Sequence, residues 1–265
     1  MTISIRALLR PAKIMSSLGL VAFVAACGAP VTELQSPQEA ADNVLVNGVP
    51  FSEIDPDYGV VEDGGYTLPP VPSEYLTGVN RRELVQYPGF ETPGTIEIDP
   101  HAKFLYWVMA DGMAWRYPIA VGREGRGISG DLVIGREAEW PSWTPTQNMI
   151  RTEPEVYSAF AGGVPGGLSN PLGARALYLY RGGRDTYYRV HGTNDLGSIG
   201  NSGSAGCIRM FNQDVIDLYN RVPVGADVAI RTYEDSVRIE GEALANRGVE
   251  LPAVLPTAEQ IANAR

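Results

Sequence analysis

The side chains that carry most enzyme chemistry are scarce in this sequence. Its 265 residues include only two cysteines and two histidines. No C-x-x-C or H-x-x-x-H pair occurs, which excludes the usual ligand spacing of a zinc site, and the sequence predicts neither a metal nor a cofactor. Cys207 and His191 share one stretch of small residues, HGTNDLGSIGNSGSAGCIRMFN (191–212), which makes this stretch the first candidate for a reactive site.

Basic residues are also few. Lysines and arginines number 21 against 31 aspartates and glutamates, which gives a formal net charge of −10. Because binding to phosphate backbones needs a basic surface, this charge argues against nucleic acid as a partner. A hydrophobic content of 44% allows a globular core, and 30 glycines with 20 prolines favour turns and β-structure over a helical bundle.

A sustained hydrophobic run is found only near the N-terminus. Residues 14–26 form a short apolar run that follows the basic residues Arg6, Arg10 and Lys13. This run is too short, and wrongly flanked, for a stable transmembrane helix. The pattern predicts a secretory signal peptide over residues 1–26, and therefore an exported protein.

The end of this signal, VAAC (24–27), resembles the lipobox of bacterial lipoproteins. The resemblance implies cleavage before Cys27, lipid attached to Cys27 and a membrane anchor at the periplasmic face. Because Gly28 follows, it also implies the outer membrane. An ordinary signal peptide that ends in a chance cysteine is the alternative. With Cys27 lipidated, Cys207 would have no disulfide partner, and a lone thiol in an oxidising compartment is a liability unless it is used.

Composition divides the exported chain into three parts. Residues 27–93 are rich in Pro, Gly, Asp and Glu without a helical or strand period, which predicts an extended tether, either free along its length or with its later part, 75–87, packed on the domain. Residues 94–231 contain short apolar runs broken by Asp-Pro and Asp-Gly, which predict strands joined by tight turns. Residues 232–265 form a C-terminal tail, for which a short helix over 236–246 and disorder at the very end are equal expectations.

Within the central part the pattern predicts a mainly β fold. The runs at 177–180 and 186–190 predict a hairpin, and 226–231 predicts a closing strand. Apolar spacing over 212–222 predicts a helix with Asn212 as its N-cap. Many short strands with few helices indicate a β-sandwich or barrel-like core that carries long loops and one or two short helices.

The residues around Cys207 suit a catalytic loop. Small residues let the backbone approach a substrate and expose N–H groups, which could form an oxyanion hole. Cysteine is an effective nucleophile as the thiolate, and His191 at a strand end could take the thiol proton. Arg209 and the dipole of the following helix favour the thiolate. The alternative is a buried structural cysteine and a hydrogen-bonded histidine.

Two separated motifs carry a family resemblance. HGT (191–193), followed after a glycine-rich stretch by SAGCIRM (204–210), resembles the signature of L,D-transpeptidases with a YkuD-type catalytic domain. The similarity runs from Thr95 to Arg231 and includes VGREG, WPSWTPT and GGVPGGLSNPLGARALYLY. Many members have histidine directly before the Gly-Cys pair, whereas this chain has Ala205. The departure bears on substrate placement, since the histidine that acts as base is His191.

The resemblance implies roles for the signature residues. Cys207 is expected to be the nucleophile and His191 the general base. Gly192 is expected to supply the backbone carbonyl that holds the imidazole tautomer. Ser204 and Gly206 are expected to shape the loop, with the N–H groups of Gly206 and Cys207 facing the oxyanion.

Four further residues are candidates for contact with substrate. Arg209 is expected to fix the loop or to meet a substrate carboxylate, which its planar guanidinium suits. Trp140 and Trp143 either wall the donor cleft or pack under their proline-rich loop. Tyr188 either faces the cleft or packs inside. His101 follows an Asp-Pro turn and is expected to be exposed and without a role.

The resemblance implies acyl transfer on peptidoglycan stem peptides through a thioester, with release of D-alanine. An amine acceptor would give a 3→3 crosslink, or would attach an envelope protein through its lysine, and water would make the enzyme a carboxypeptidase. A papain-like or NlpC-type peptidase is a second class, but those families place cysteine before histidine, whereas His191 precedes Cys207. A non-catalytic lipoprotein that binds the wall is the third.

Overall fold

The computed structural model describes residues 55–122, 130–203 and 207–252, together with 254, 255, 257 and 259 and the strand residues 45–46 and 49–50. The predictions for the signal peptide and Cys27 lie outside these residues. In the described part of the chain, no helix has the length and apolar character needed to cross a membrane.

Strands dominate the regular structure of the described residues. In chain order they are β1 (Leu45–Val46), β2 (Val49–Pro50), β3 (Val61–Asp63), β4 (Tyr66–Leu68), β5 (Glu83–Gln86), β6 (Ile96–Asp99), β7 (Phe104–Val108), β8 (Met113–Pro118), β9 (Ala120–Val121), β10 (Leu132–Glu139), β11 (Arg175–Arg181), β12 (Arg184–Thr193), β13 (Ile208–Phe211) and β14 (Asp227–Ile230).

The α-helices in the same part of the chain are short, and none exceeds 8 residues. They are more numerous than the one or two expected. In chain order they are α1 (Gln147–Thr152), α2 (Pro154–Tyr157), α3 (Asn212–Tyr219), α4 (Tyr233–Glu240) and α5 (Glu242–Ala245).

Ten strands form one continuous sheet in the order β5-β8-β7-β6-β14-β10-β11-β12-β13-β9. Neighbours run antiparallel except for the pairs β12–β13 and β14–β6, which are parallel. The hairpins β1–β2 and β3–β4 form two separate two-stranded sheets. A large sheet with short helices confirms the mainly β fold class.

One hydrophobic core contains side chains from every strand between β6 and β14 and from helix α3. Strand β7 shows how the alternation of side chains builds it. Leu105 enters this core, whereas Phe104 and Tyr106 pack on the other side of the strand with Ala102 and Ala114. This is the period of two that a strand requires when both of its faces are covered.

The elements predicted for the central part are confirmed, with one local correction. Strands β11 and β12 form the expected hairpin, β14 is the expected closing strand, and α3 lies within the predicted helix. The capping assignment is wrong. Phe211 occupies the N-cap position and makes no side-chain cap, and Asn212 is the first residue of the helix. The Asn212 side chain bonds to the backbone of Ala174 and Thr193 and not to the start of its own helix.

Residues 55–93, the longest described part of the expected tether, are folded over more of their length than the stretch 75–87 for which packing on the domain was expected. Strand β5 pairs with β8 at the edge of the main sheet, and Tyr58, Leu68, Val71 and Leu76 are buried. These strands have only three or four residues each, so they show no period in the sequence. Their stability comes from contacts with distant parts of the chain, which composition does not report.

Residues 232–252 also pack on the sheet. Helices α4 and α5 correspond to the short helix expected at 236–246. Arg231, at the end of β14, is buried and pairs with Glu97, Asp99 and Glu240. A cation that is satisfied by three carboxylates fixes α4 against β6, since removing any partner would leave buried charge uncompensated.

Candidate active site

Two adjacent parallel strands deliver the reactive side chains. The register of β12 and β13 places His191 beside Arg209 and Val190 beside Ile208. Val190 and Ile208 are fully buried in the core, so alternation sends His191, Arg209 and Cys207 to the opposite face. The prediction that His191 lies near the C-terminal end of a strand is confirmed, since β12 ends two residues later.

His191, Cys207 and Arg209 line one cavity of about 840 Å³. Residues 142–149 and Tyr157 also line it, and its volume is in the range of pockets that hold small ligands. The structure therefore brings the two residues paired by the sequence analysis to the same cavity.

The imidazole of His191 is held in one tautomer. Its Nδ1 lies 2.6 Å from the carbonyl oxygen of Gly192. A carbonyl can only accept, so Nδ1 carries the proton and donates it, and Nε2 keeps its lone pair. This is the contact that was expected of Gly192.

The charge state of His191 follows from its surroundings. Burial lowers its pKa to about 3; the positive charges of Arg209 and Arg189 act in the same direction, and the Gly192 carbonyl opposes them. The imidazole is therefore neutral near pH 7. A neutral imidazole with an unprotonated Nε2 is the form that accepts a proton.

Cys207 lies directly before β13 and is partly exposed at the cavity. Within the described residues, the charged side chains that line the cavity are those of Arg189 and Arg209. His191 is neutral, and no aspartate or glutamate lines the cavity. Cations close to a thiol favour its thiolate form. The surroundings of Cys207 are thus electrostatically suited to a nucleophile.

Arg209 occupies the first of the two positions expected for it. Its Nη1 donates to Oδ2 of Asp195 at 2.9 Å, and both side chains are largely buried. Asp195 lies two residues after the end of β12, within the connection that leads to Cys207. Arg209 therefore fixes this connection while it remains part of the cavity wall.

Asn212 is a site residue whose role the sequence reading missed. Its Oδ1 accepts the backbone N–H of Ala174 at 2.9 Å, and its Nδ2 donates to the carbonyl of Thr193 at 3.1 Å. A Cβ on Gly192 would lie 2.1 Å from this Oδ1, so any larger residue there would displace the Asn212 side chain from its two hydrogen bonds. Asn212 therefore packs on the residue whose carbonyl holds His191. A glycine directly after the histidine was the only signal in the sequence.

The two tryptophans have different positions. Trp143 lines the cavity, and its ring lies 6.3 Å from that of Tyr157. Trp140 is not among the lining residues. Its Nε1 donates to Oδ2 of Asp63 at 2.8 Å, and its ring centroid lies 4.3 Å from that of Tyr66. Of the two readings of Trp140, the structure shows the packing one, against the β3–β4 hairpin.

Neither of the two remaining candidates, Tyr188 and His101, lines the cavity. Tyr188 packs against the core, while its neighbours Tyr187 and Arg189 line the cavity. His101 does lie in a turn, but it is half-buried, with its ring 5.3 Å from that of Tyr233. The expectation that His101 is exposed is corrected accordingly.

Part of the predicted site lies outside the described residues. Ser204, Ala205 and Gly206 belong to this part, so the expected oxyanion hole is a prediction from the sequence alone. Where residues are described, no group of three or more His, Cys, Asp or Glu side chains is arranged to hold a metal ion.

Comparison with known proteins gives a consistent family match. The family model for the YkuD L,D-transpeptidase catalytic domain matches residues 93–230. The probable L,D-transpeptidase ErfK/SrfK of Escherichia coli (strain K12) is 39% identical over 116 residues, which are 43% of this chain and 36% of that protein. The putative L,D-transpeptidase YkuD of Bacillus subtilis (strain 168) is 33% identical over 157 residues, which are 58% of this chain and 77% of that protein.

The matched region spans less than half the length of ErfK/SrfK. Among solved structures, a probable carnitine operon oxidoreductase CaiA from Brucella melitensis is 47% identical, with 58% of this chain and 95% of that chain covered and a TM-score of 0.41. The word oxidoreductase describes that protein, and a TM-score of 0.41 does not extend its chemistry to this chain.

Proposed function

Because the chain belongs to the YkuD family of L,D-transpeptidase catalytic domains, we propose that it transfers acyl groups on peptidoglycan stem peptides, with Cys207 as nucleophile and His191 as general base. One observation carries the proposal: both side chains line one cavity, and the imidazole is neutral and held in the tautomer that leaves Nε2 unprotonated. A purely structural cysteine and histidine would need neither a shared cavity nor a fixed tautomer.

The first half-reaction forms a thioester. The Cys207 sulfur attacks the carbonyl carbon between the L-centre of the diamino acid and the terminal D-alanine, while Nε2 of His191 takes the thiol proton. Backbone N–H groups at Gly206 and Cys207 stabilise the resulting oxyanion. The C–N bond then breaks, His191 gives its proton to the leaving amine, and D-alanine departs.

The second half-reaction returns the enzyme to its starting state. An acceptor amine attacks the thioester carbon and gives a proton to His191, the C–S bond breaks, and the proton passes to the sulfur of Cys207. An amine of a second stem peptide yields a 3→3 crosslink, and a lysine of an envelope protein yields a protein attached to the wall. Water in the same place yields a carboxypeptidase.

The proposed location follows from the N-terminal sequence. The chain is exported and held by lipid on Cys27 at the periplasmic face of the outer membrane, since VAAC ends a basic and then apolar segment. Replacing Cys27 by serine should release the protein from the membrane fraction or leave the precursor unprocessed. Unchanged processing and fractionation would contradict the anchor.

The experiment that tests the reaction is product analysis with tetrapeptide fragments of the wall. Mass spectrometry should show free D-alanine together with a crosslinked dimer, or a shortened tripeptide if water is the acceptor. Cys207→Ala should give neither product. D-alanine release that persists in this variant would contradict the role of the thiol.

A further inference from the structure

We propose that Arg189 is a specificity-determining residue that binds a free carboxylate of the donor peptide close to the scissile bond. The proposal rests on the function proposed above, because it concerns the donor side of the same cavity. The donor offers two such carboxylates. One is the terminal carboxylate of D-alanine, and the other is a carboxylate on the side chain of the diamino acid.

The sheet register places Arg189 next to the nucleophile. Val190 of β12 pairs with Ile208, the first residue of β13. One residue before this pair stand Arg189, on β12, and Cys207, directly before β13. Adjacent strands lie about 5 Å apart. Both side chains line the cavity, on the face opposite Val190 and Ile208. A substrate group within reach of Arg189 therefore lies beside the bond that Cys207 attacks.

The hydrogen bonds of Arg189 leave one edge of its guanidinium available. Nη1 and Nη2 donate to the two carboxylate oxygens of Asp185 at 2.7 and 2.9 Å, and Nη1 also donates to the Tyr188 carbonyl. Among the described residues these bonds use three of the five N–H groups. The other two, on Nε and Nη2, lie on one edge of the plane and match a second carboxylate bidentately.

Two contacts hold this guanidinium in place before substrate arrives. Asp185 fixes one edge, and the Tyr178 ring lies under the group, with Cζ 4.3 Å from the ring centroid. Asp185 is not among the lining residues of the cavity, whereas Arg189 and Tyr178 are. A cation oriented in advance loses little conformational entropy when a ligand binds.

The charge of the cavity selects the sign of the ligand. The chain carries a net charge of −10, yet the charged residues that line the cavity in the described part of the chain are arginines. An anionic donor group can therefore approach without meeting a carboxylate. Both arginines pair with an aspartate, and they differ in position: Arg209 pairs with Asp195 beside His191, whereas Arg189 stands one residue before the Val190–Ile208 pair, as Cys207 does.

The test compares three synthetic tetrapeptide donors. One has both carboxylates free, the second is amidated at the terminal carboxyl group, and the third is amidated on the diamino acid side chain. The wild type should favour the free donor over one of the two amides by about 10–100-fold in kcat/KM, as expected for a charge-assisted bidentate contact. The amide that is discriminated against identifies the carboxylate.

In Arg189→Gln, kcat/KM should fall for the free donor and for the amide that keeps the recognised carboxylate, and much less for the amide that lacks it, so that the preference is lost. Arg189→Lys should keep part of the preference. Arg136→Gln is the matched control, because Arg136 also lies over the Tyr178 ring, at 3.4 Å, but is not among the lining residues. This control should behave as wild type. If Arg189→Gln does not fold, the comparison rests on Arg189→Lys.

Equal rates of release from all three donors by the wild type, or an equal loss for all three in Arg189→Gln, would overturn the inference and leave the proposed function standing. A wild type that releases D-alanine or its amide from no donor would instead contradict the proposed function, and the inference with it.

Discussion

His191 can act as a base only while its Nε2 is unprotonated. An ordinary histidine, with a pKa of about 6.5, is partly protonated at mildly acidic pH. Here burial and the charge of Arg209 lower the pKa to about 3. The same surroundings disfavour the imidazolium that forms during catalysis. We therefore expect the proton to leave the Cys207 sulfur while the carbonyl is attacked, and not before the attack.

The acid limb of kcat/KM should therefore lie well below the ordinary pKa of histidine. Because the folded-state pKa is lowered, the inactive protonated form accumulates only at lower pH, and activity should persist as the pH falls through about 6.5. Arg209→Gln should move the midpoint upward, since one of the charges that lowers the pKa is removed. A wild-type midpoint near the ordinary value would contradict the buried, neutral imidazole.

Asn212 should support activity through the backbone that it holds. Asn212→Ala removes the bonds to Ala174 and Thr193, and should lower the free energy of unfolding by about 1–3 kcal/mol. It should also lower kcat more than it raises KM, because Gly192 is then free to move. Asn246→Ala is the control, since it loses two side-chain hydrogen bonds at an exposed site. Equal effects of the two variants on kcat would contradict a positioning role.

The hairpin of β3 and β4 is attached to the catalytic domain by a charged contact. Arg175, at the start of β11, donates to both carboxylate oxygens of Asp63 at 2.7 Å each. Trp140 donates to the same carboxylate. The Arg175 bonds join residues 112 positions apart in the chain, and the Trp140 bond joins residues 77 positions apart. Nothing local in an acidic, proline-rich segment reports such a partner, which is why the sequence predicted a tether.

Asp63→Ala should lower the free energy of unfolding by roughly 1–3 kcal/mol, because Arg175 is nearly buried and would keep only its longer ion pair with Glu139, at 4.0 Å. Hydrogen bonds from Arg175 lower the pKa of Asp63, so its stabilisation is present above about pH 3.9 and is lost as the pH falls below that value. Chemical denaturation at neutral and acidic pH measures both effects.

Glu83→Ala is the control for this prediction. Glu83 pairs with Arg116 at 2.7 Å but is itself 57% exposed, so its loss should cost less than about 1 kcal/mol. An Asp63→Ala variant that is no less stable than Glu83→Ala would show that the hairpin is not held by this contact.

Across the whole molecule, features formed by residues close together in the chain could be predicted from the sequence, and features formed by distant residues could not. The pairing of Cys207 with His191, the hairpin before it and helix α3 were readable, because each is local or belongs to a compact signature. The placement of Arg189 next to Cys207 depends on the register of two parallel strands. That register is set by core packing of the whole sheet, so no local pattern could have predicted it.

The charge distribution is a property of the same scale. Carboxylates outnumber basic side chains in the chain, yet the described wall of the cavity contains arginines and no carboxylate. The arginines are held there by Asp185 and Asp195, which lie outside the lining. An acidic protein can therefore present a cationic cavity to an anionic peptide.

The central claim is that the sulfur of Cys207 carries the acyl group, and intact-protein mass spectrometry with a tetrapeptide donor tests it most directly. The wild type should gain the mass of the donor minus D-alanine, and peptide mapping should place the added group on Cys207. The Cys207→Ala variant, checked for folding, should gain nothing. An adduct that persists in this variant, or turnover by the wild type with the acyl group mapped to another residue, would contradict the proposed nucleophile.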